Sequence, residues 1–130
     1  MATSTRKKAI ELWRAALPGG DPGQTAKILF SFENPPGTGE VAGSQDAIGI
    51  VFPGLNKLNY AGHYWPVTID SVHDETLISW LENHLYLVTL GPRTAGYNVL
   101  SDTRITPAGA KALAAAAEDA WRSLLARDLR

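Results

Sequence analysis

Leu55-Asn56-Lys57-Leu58-Asn59-Tyr60-Ala61-Gly62-His63-Tyr64-Trp65-Pro66-Val67-Thr68-Ile69-Asp70-Ser71-Val72 is the stretch that decides the fold class. Apolar positions alternate along its two arms, as at Val67 and Ile69, and Ala61-Gly62-His63 stands between them. This is the signature of an antiparallel hairpin closed by a short glycine-containing turn. Downstream, Asp74 is placed to cap a helix through Asn83 with Leu77, Ile78 and Leu81 inward. Leu85 to Leu90 is a nearly continuous apolar run of the kind found in a sheet interior, with Gly91-Pro92-Arg93 at its end. After a short segment around Tyr97 to Leu100, Thr106-Pro107 opens an alanine-rich helix to about Arg127. Its expected buried stripe is Leu113, Ala117, Trp121, Leu124 and Leu125.

Upstream of the hairpin, Ser44 reads as the N-cap of a short buried helix over Asp46 to Phe52, closed by Pro53-Gly54. Pro35 to Gly43 is too rich in glycine and proline for regular structure. Asp21 and Pro22 start another helix, with Ala26, Leu29 and Phe30 or Phe32 inward, and Pro35-Pro36 stop it by Asn34. The alternation of Ile28, Phe30 and Phe32 also permits a short strand there. Thr3, Ser4 and Thr5 offer caps for a first helix to about Leu17, with an apolar stripe of Ile10, Trp13 and Leu17, ended by Pro18-Gly19-Gly20. The expected fold is α+β, a two-layer arrangement in which a small, mostly antiparallel sheet is covered by helices. It forms a single domain over 1–130, with a helical part to about Gly54 and the hairpin, strand and C-terminal helices after it.

The 130 residues suffice for one domain, and 45% hydrophobic against 19% charged residues is ordinary globular usage, so a core can form. Twelve basic against thirteen acidic side chains give a net charge of −1, which offers no field to draw the chain to nucleic acid or an anionic membrane. The absence of cysteine removes disulfides, thiolate metal sites and cysteine nucleophiles together. Met1 to Lys8 is polar and basic with no apolar run behind it, so the expected location is cytoplasmic.

Gly43-Ser44-Gln45-Asp46 is the densest chemical segment. A carboxylate in the first turn of a helix is held in its charged form by the helix dipole, and it can take a proton from a hydroxyl or help hold Mg²⁺; it can equally serve only to stabilise its helix. His63, His73 and His84 lack the spacing of a metal site, and neither G-x-x-x-x-G-K-[ST], G-x-G-x-x-G nor G-x-S-x-G occurs. Trp13, Trp80 and Trp121 read as core residues. Trp65 stands beside Tyr64 and Pro66, where it could also meet a ring-shaped ligand. Arg93 follows the end of the apolar run, where ligands bind in many mixed sheets. Arg6, Lys7 and Lys8 lie in a helix with Glu11 in pairing range, which accounts for that basic group without nucleic acid.

The order of Gly43-Ser44-Gln45-Asp46, short helix, Phe52-Pro53-Gly54-Leu55-Asn56, hairpin and Leu85-Tyr86-Leu87-Val88-Thr89-Leu90-Gly91-Pro92-Arg93 resembles the GHMP small-molecule kinases, in particular those for fucose and heptose phosphate. Thr3-Ser4-Thr5 and the helix behind them resemble the last part of that family's phosphate loop, without its glycines. The resemblance implies a partial GHMP kinase fold, truncated at both ends, using ATP and Mg²⁺ to phosphorylate a sugar or sugar phosphate. Asp46 would be the catalytic carboxylate, Ser4 and Thr5 would contact the nucleotide, and Ser4 would also ligate the metal. Gln45 and Arg93 would lie on the substrate side, although Ala47 stands where the family repeats glutamine. The competing expectation is a non-catalytic binding or assembly module built on the same core, as a homodimer or with a complementing chain. It would expose apolar surface where the absent segment should pack. A third is an unrelated small α+β domain.

Overall fold

The computed structural model describes residues 2–91 and 106–128. Among them the chain is a small α+β protein, with helices α1 (Ala2–Trp13), α2 (Pro22–Glu33), α3 (Gln45–Val51), α4 (Glu75–Glu82) and α5 (Pro107–Ala126). A two-stranded antiparallel sheet is formed by β1 (Leu55–Asn59) and β2 (Thr68–Val72). The chain divides into two compact units, Met1–Asp74 and Glu75–Arg130. The division falls after the hairpin and not before it, because the hairpin is bonded to the helices that precede it.

In the first unit α1, α2 and α3 pack on one another around Ala9, Leu29 and Ala47, with Trp13, Phe30 and Ile50 closing the cluster. The buried side of α1 is therefore Thr5, Ala9 and Trp13, at i, i+4 and i+8, and not the expected stripe of Ile10, Trp13 and Leu17; Ile10 and Leu17 are exposed. The small Ala9 is what lets α1 close on Leu29. The helix also stops earlier than Leu17: Arg14 adopts the left-handed conformation, φ 61°, and donates its N–H to the Ile10 carbonyl at 2.7 Å.

α2 begins as its sequence dictates. Asp21 accepts hydrogen bonds from the N–H groups of Gly23 and Gln24, Pro22 takes the first turn, and the helix ends one residue before Asn34. Thr25, Ala26 and Leu29 are buried while Ile28 is exposed, so the period is helical and the strand alternative fails. β1 and β2 pair from Leu55 opposite Val72 to Asn59 opposite Thr68. The expected short turn at Ala61-Gly62-His63 is instead a longer connection, 60–67, because the ladder stops at Asn59. Gly54, at φ +78°, enters the hairpin where any Cβ would collide with the Val72 carbonyl oxygen, so only glycine fits.

In the second unit α4 follows Asp74 and buries Leu77, with Ile78 and Leu81 half-buried, as expected. α5 is capped by Thr106, whose hydroxyl accepts from Gly109 N–H at 3.0 Å, and closes at Arg127 in the left-handed conformation. The Arg127 side chain donates to the Thr76 hydroxyl. Two expectations are corrected here. Leu85–Leu90 lies in no strand, and its apolar side chains are exposed, with Leu87 at 106% and Tyr86 at 84%. Apolar character alone does not make a strand, which needs a neighbouring ladder, and the only sheet among the described residues is β1–β2. The α5 stripe is likewise not a core: no residue of the helix is buried, Leu113 and Leu125 are exposed, and Trp121 and Leu124 are half-covered. The short segment expected around Tyr97–Leu100 lies outside the described residues.

Leu29 is the largest fully buried side chain at the three-helix junction, clustered with two alanines. Leu29→Ala is expected to destabilise the first unit by about 2–5 kcal/mol, read from urea unfolding.

Candidate functional site

The segment Gly43–Asp46 sits where the loop 35–43, α3 and the hairpin connection meet. The loop is closed by one side chain. Asn34 accepts from Ala42 N–H at 2.7 Å and donates to the Phe30 carbonyl at 2.9 Å, which fastens the loop's far end to the last turn of α2. Within the loop, the Thr38 hydroxyl donates to the Pro35 carbonyl at 2.6 Å. These bonds hold 35–43 against the helix.

Ser44 occupies the N-cap position of α3 but makes no side-chain cap bond. It is fully buried, its hydroxyl donates to the Tyr64 carbonyl at 2.5 Å, and it lies 2.9 Å from the Tyr60 hydroxyl. A hydroxyl has one proton, so with Ser44 donating to Tyr64 the Tyr60 hydroxyl must donate to Ser44. One buried oxygen thus ties both ends of the 60–64 segment to the start of α3. Next to it, Trp65 packs edge-on to Phe30 at 6.0 Å between centroids, with Lys27 5.5 Å from its ring. That ring seals α2 against the hairpin connection, and its face toward Lys27 is already taken by a cation.

Asp46 and Gln45 follow on α3, Gln45 exposed and Asp46 half-exposed. Asp46 makes no ion pair or hydrogen bond among the described residues. The glutamine side chain folds back over Gly43, where a Cβ would strike it.

Ser4 and Thr5 are not caps, since α1 already runs from Ala2 and both lie inside it. Ser4 is exposed. Thr5 is buried, and its hydroxyl donates to the Glu33 carboxylate at 2.7 Å, linking α1 to α2. A buried hydroxyl committed to a carboxylate cannot face a phosphate, which that carboxylate would repel. Thr5 as placed therefore does not fit a Mg-nucleotide. Among the described residues no group of three or more His, Asp or Glu side chains could hold a metal ion. Arg93 lies outside the described residues. His63, His73 and His84 are all exposed, and the His84 Nδ1 lies 2.7 Å from the Trp80 carbonyl within α4's last turn.

Sequence reasoning missed the structural duties of Asn34, Ser44 and Thr5. A short polar side chain beside a helix end reads as a cap, and only the fold shows a partner 16 to 28 residues away, as for Ser44 and Thr5. No helix among the described residues is long and apolar enough to cross a membrane. Comparison with protein families, with curated proteins and with solved structures finds no match to this chain.

Ser44→Ala removes the acceptor of the Tyr60 hydroxyl and the donor to the Tyr64 carbonyl together. It is expected to cost about 1–3 kcal/mol in urea unfolding, with faster amide exchange in the hairpin connection.

Proposed function

We propose that the chain is a binding and assembly module whose partner is a second copy of itself, joined through residues 85–90. What supports this is the exposure of Leu85, Tyr86, Leu87, Val88 and Leu90 in one run interrupted only by Thr89. A contiguous apolar stretch of this size marks an interaction surface. The run is uncharged and rich in leucine, valine, tyrosine and threonine, and among the described residues it has no strand partner with which to form a ladder. Two copies supply that to each other about a two-fold axis, antiparallel, with no like charges facing. A net charge of −1 adds little repulsion between the copies.

Sedimentation velocity at about 10–100 µM is expected to show a dimer, within the range a modest interface supports. Leu87→Lys is expected to weaken it at least tenfold while leaving the helical circular dichroism intact. A wild-type chain that stays monomeric throughout would overturn the proposal.

Phosphoryl transfer to a sugar or sugar-phosphate hydroxyl, on a partial GHMP kinase fold, is the second reading. It is favoured by one observation: Asp46 is an unpaired, half-exposed carboxylate in the first turn of α3. Such a group is free to accept a hydroxyl proton. The decisive assay is mass-spectrometric detection of phosphorylated product from Mg-ATP with hexoses, fucose and heptose phosphates. On this reading product forms and Asp46→Asn lowers the rate at least a hundredfold, in the range of a lost general base; absence of product from folded protein removes the reading.

A further inference from the structure

A second candidate site lies in the first unit, where the chain turns back after α1. Arg6, Ile10, Trp13, Arg14, Leu17 and Ile50 line a pocket of about 170 Å³. The turn that builds it depends on Arg14 in the left-handed conformation, φ 61°. Glycine is the residue that takes this position after a helix without strain, so an arginine here is held at a backbone cost, and it stands in the pocket's lining. Arg6, two turns earlier on α1, lines the same pocket.

Neither guanidinium makes an ion pair or hydrogen bond among the described residues. The nearest acid in sequence, Glu11, is engaged by Lys8 at 3.0 Å. No carboxylate lines the pocket, its two arginines are exposed, and the nearest acid on α3 is Asp46, one turn before Ile50. Arginine presents a planar fork that matches a carboxylate with two parallel hydrogen bonds. The rest of the wall is aromatic and aliphatic.

Volume narrows the choice. At about 170 Å³ the pocket has room for one six-membered ring with a small substituent, and it is an open depression, since Ile10 and Leu17 in its lining are exposed. We propose that this pocket binds a small aromatic carboxylate of the benzoate class, its ring against Trp13, Ile10 and Ile50 and its carboxylate between Arg6 and Arg14. The site uses none of residues 85–90, and Asp46 is not among its lining residues.

The test is a ¹H–¹⁵N NMR titration of the full chain with benzoate, with benzyl alcohol as the ring without charge and acetate as the charge without ring. The Trp13 indole peak is assigned by its loss in Trp13→Phe. Saturable shifts of Trp13, Arg14 and Ile50 with benzoate are expected, with a Kd of about 0.1–1 mM for a ligand of this size. Benzyl alcohol and acetate should each bind at least tenfold more weakly. Arg14→Gly separates recognition from folding, because it suits the left-handed backbone; thermal stability should be kept or raised while benzoate binding falls at least tenfold. Arg6→Gln should weaken binding similarly. No saturable shift at 10 mM benzoate, equal binding of benzyl alcohol, or undiminished binding by Arg14→Gly would each overturn the assignment.

Discussion

The close approach of three short helices at Ala9, Leu29 and Ala47 is the constraint on which the first unit depends. A methyl group on α1 and another on α3 allow both helices to settle on a single leucine of α2. Longer side chains at either alanine would hold the helices apart, since overpacked interiors relax by moving backbone. The Thr5–Glu33 bond between α1 and α2 exists only because that approach has been made. So does the placement of Ile50 and Trp13 against the cluster, and with it one wall of the pocket beneath Arg14.

Two alanines and one leucine bury little apolar surface, and hydrophobic stabilisation scales with area. Hydrogen bonds of high sequence separation therefore carry much of the positioning. Asn34 fastens the proline-glycine loop, Ser44 fastens the hairpin connection, and Thr5 fastens the first helix. Each of these side chains has the chemistry of a cap or a catalytic hydroxyl, and each is consumed by structure. Asp46 is what remains unpaired in that segment, while the described apolar residues of the second unit, Leu77 apart, are exposed or half-exposed.

Local signals were legible wherever the cause is local. Asp21-Pro22 and Pro35-Pro36 bracket α2 to within a residue because capping and proline sterics act over one turn. Thr106-Pro107 opens α5 for the same reason. The hairpin was legible from its alternation, its loop length was not, since Tyr60 and Tyr64 are drawn away to Ser44 by contacts with no sequence signature. Leu85–Leu90 shows the reverse failure. Its composition states a preference for a ladder, and no composition can supply the neighbouring strand. In the candidate site, Asp46 is where its helix position put it, and the Glu33 partner of Thr5 was not legible because hydroxyl chemistry is the same whatever the acceptor.

The sequence by itself determined the α+β class, the hairpin and the approximate places of the helices among the described residues, with a strand still open at 28–32, because capping, proline restriction and residue periodicity are short-range forces. It also determined that no thiol chemistry and no strong charge field are available. Only the tertiary structure decided which face of α1 is buried, that α5 buries none of its residues, that Ser44 and Thr5 are spent on packing, and that Arg6 and Arg14 share one pocket. Those outcomes turn on which surfaces can approach within bonding distance, and that is a property of three helices meeting at two alanines rather than of any segment read alone.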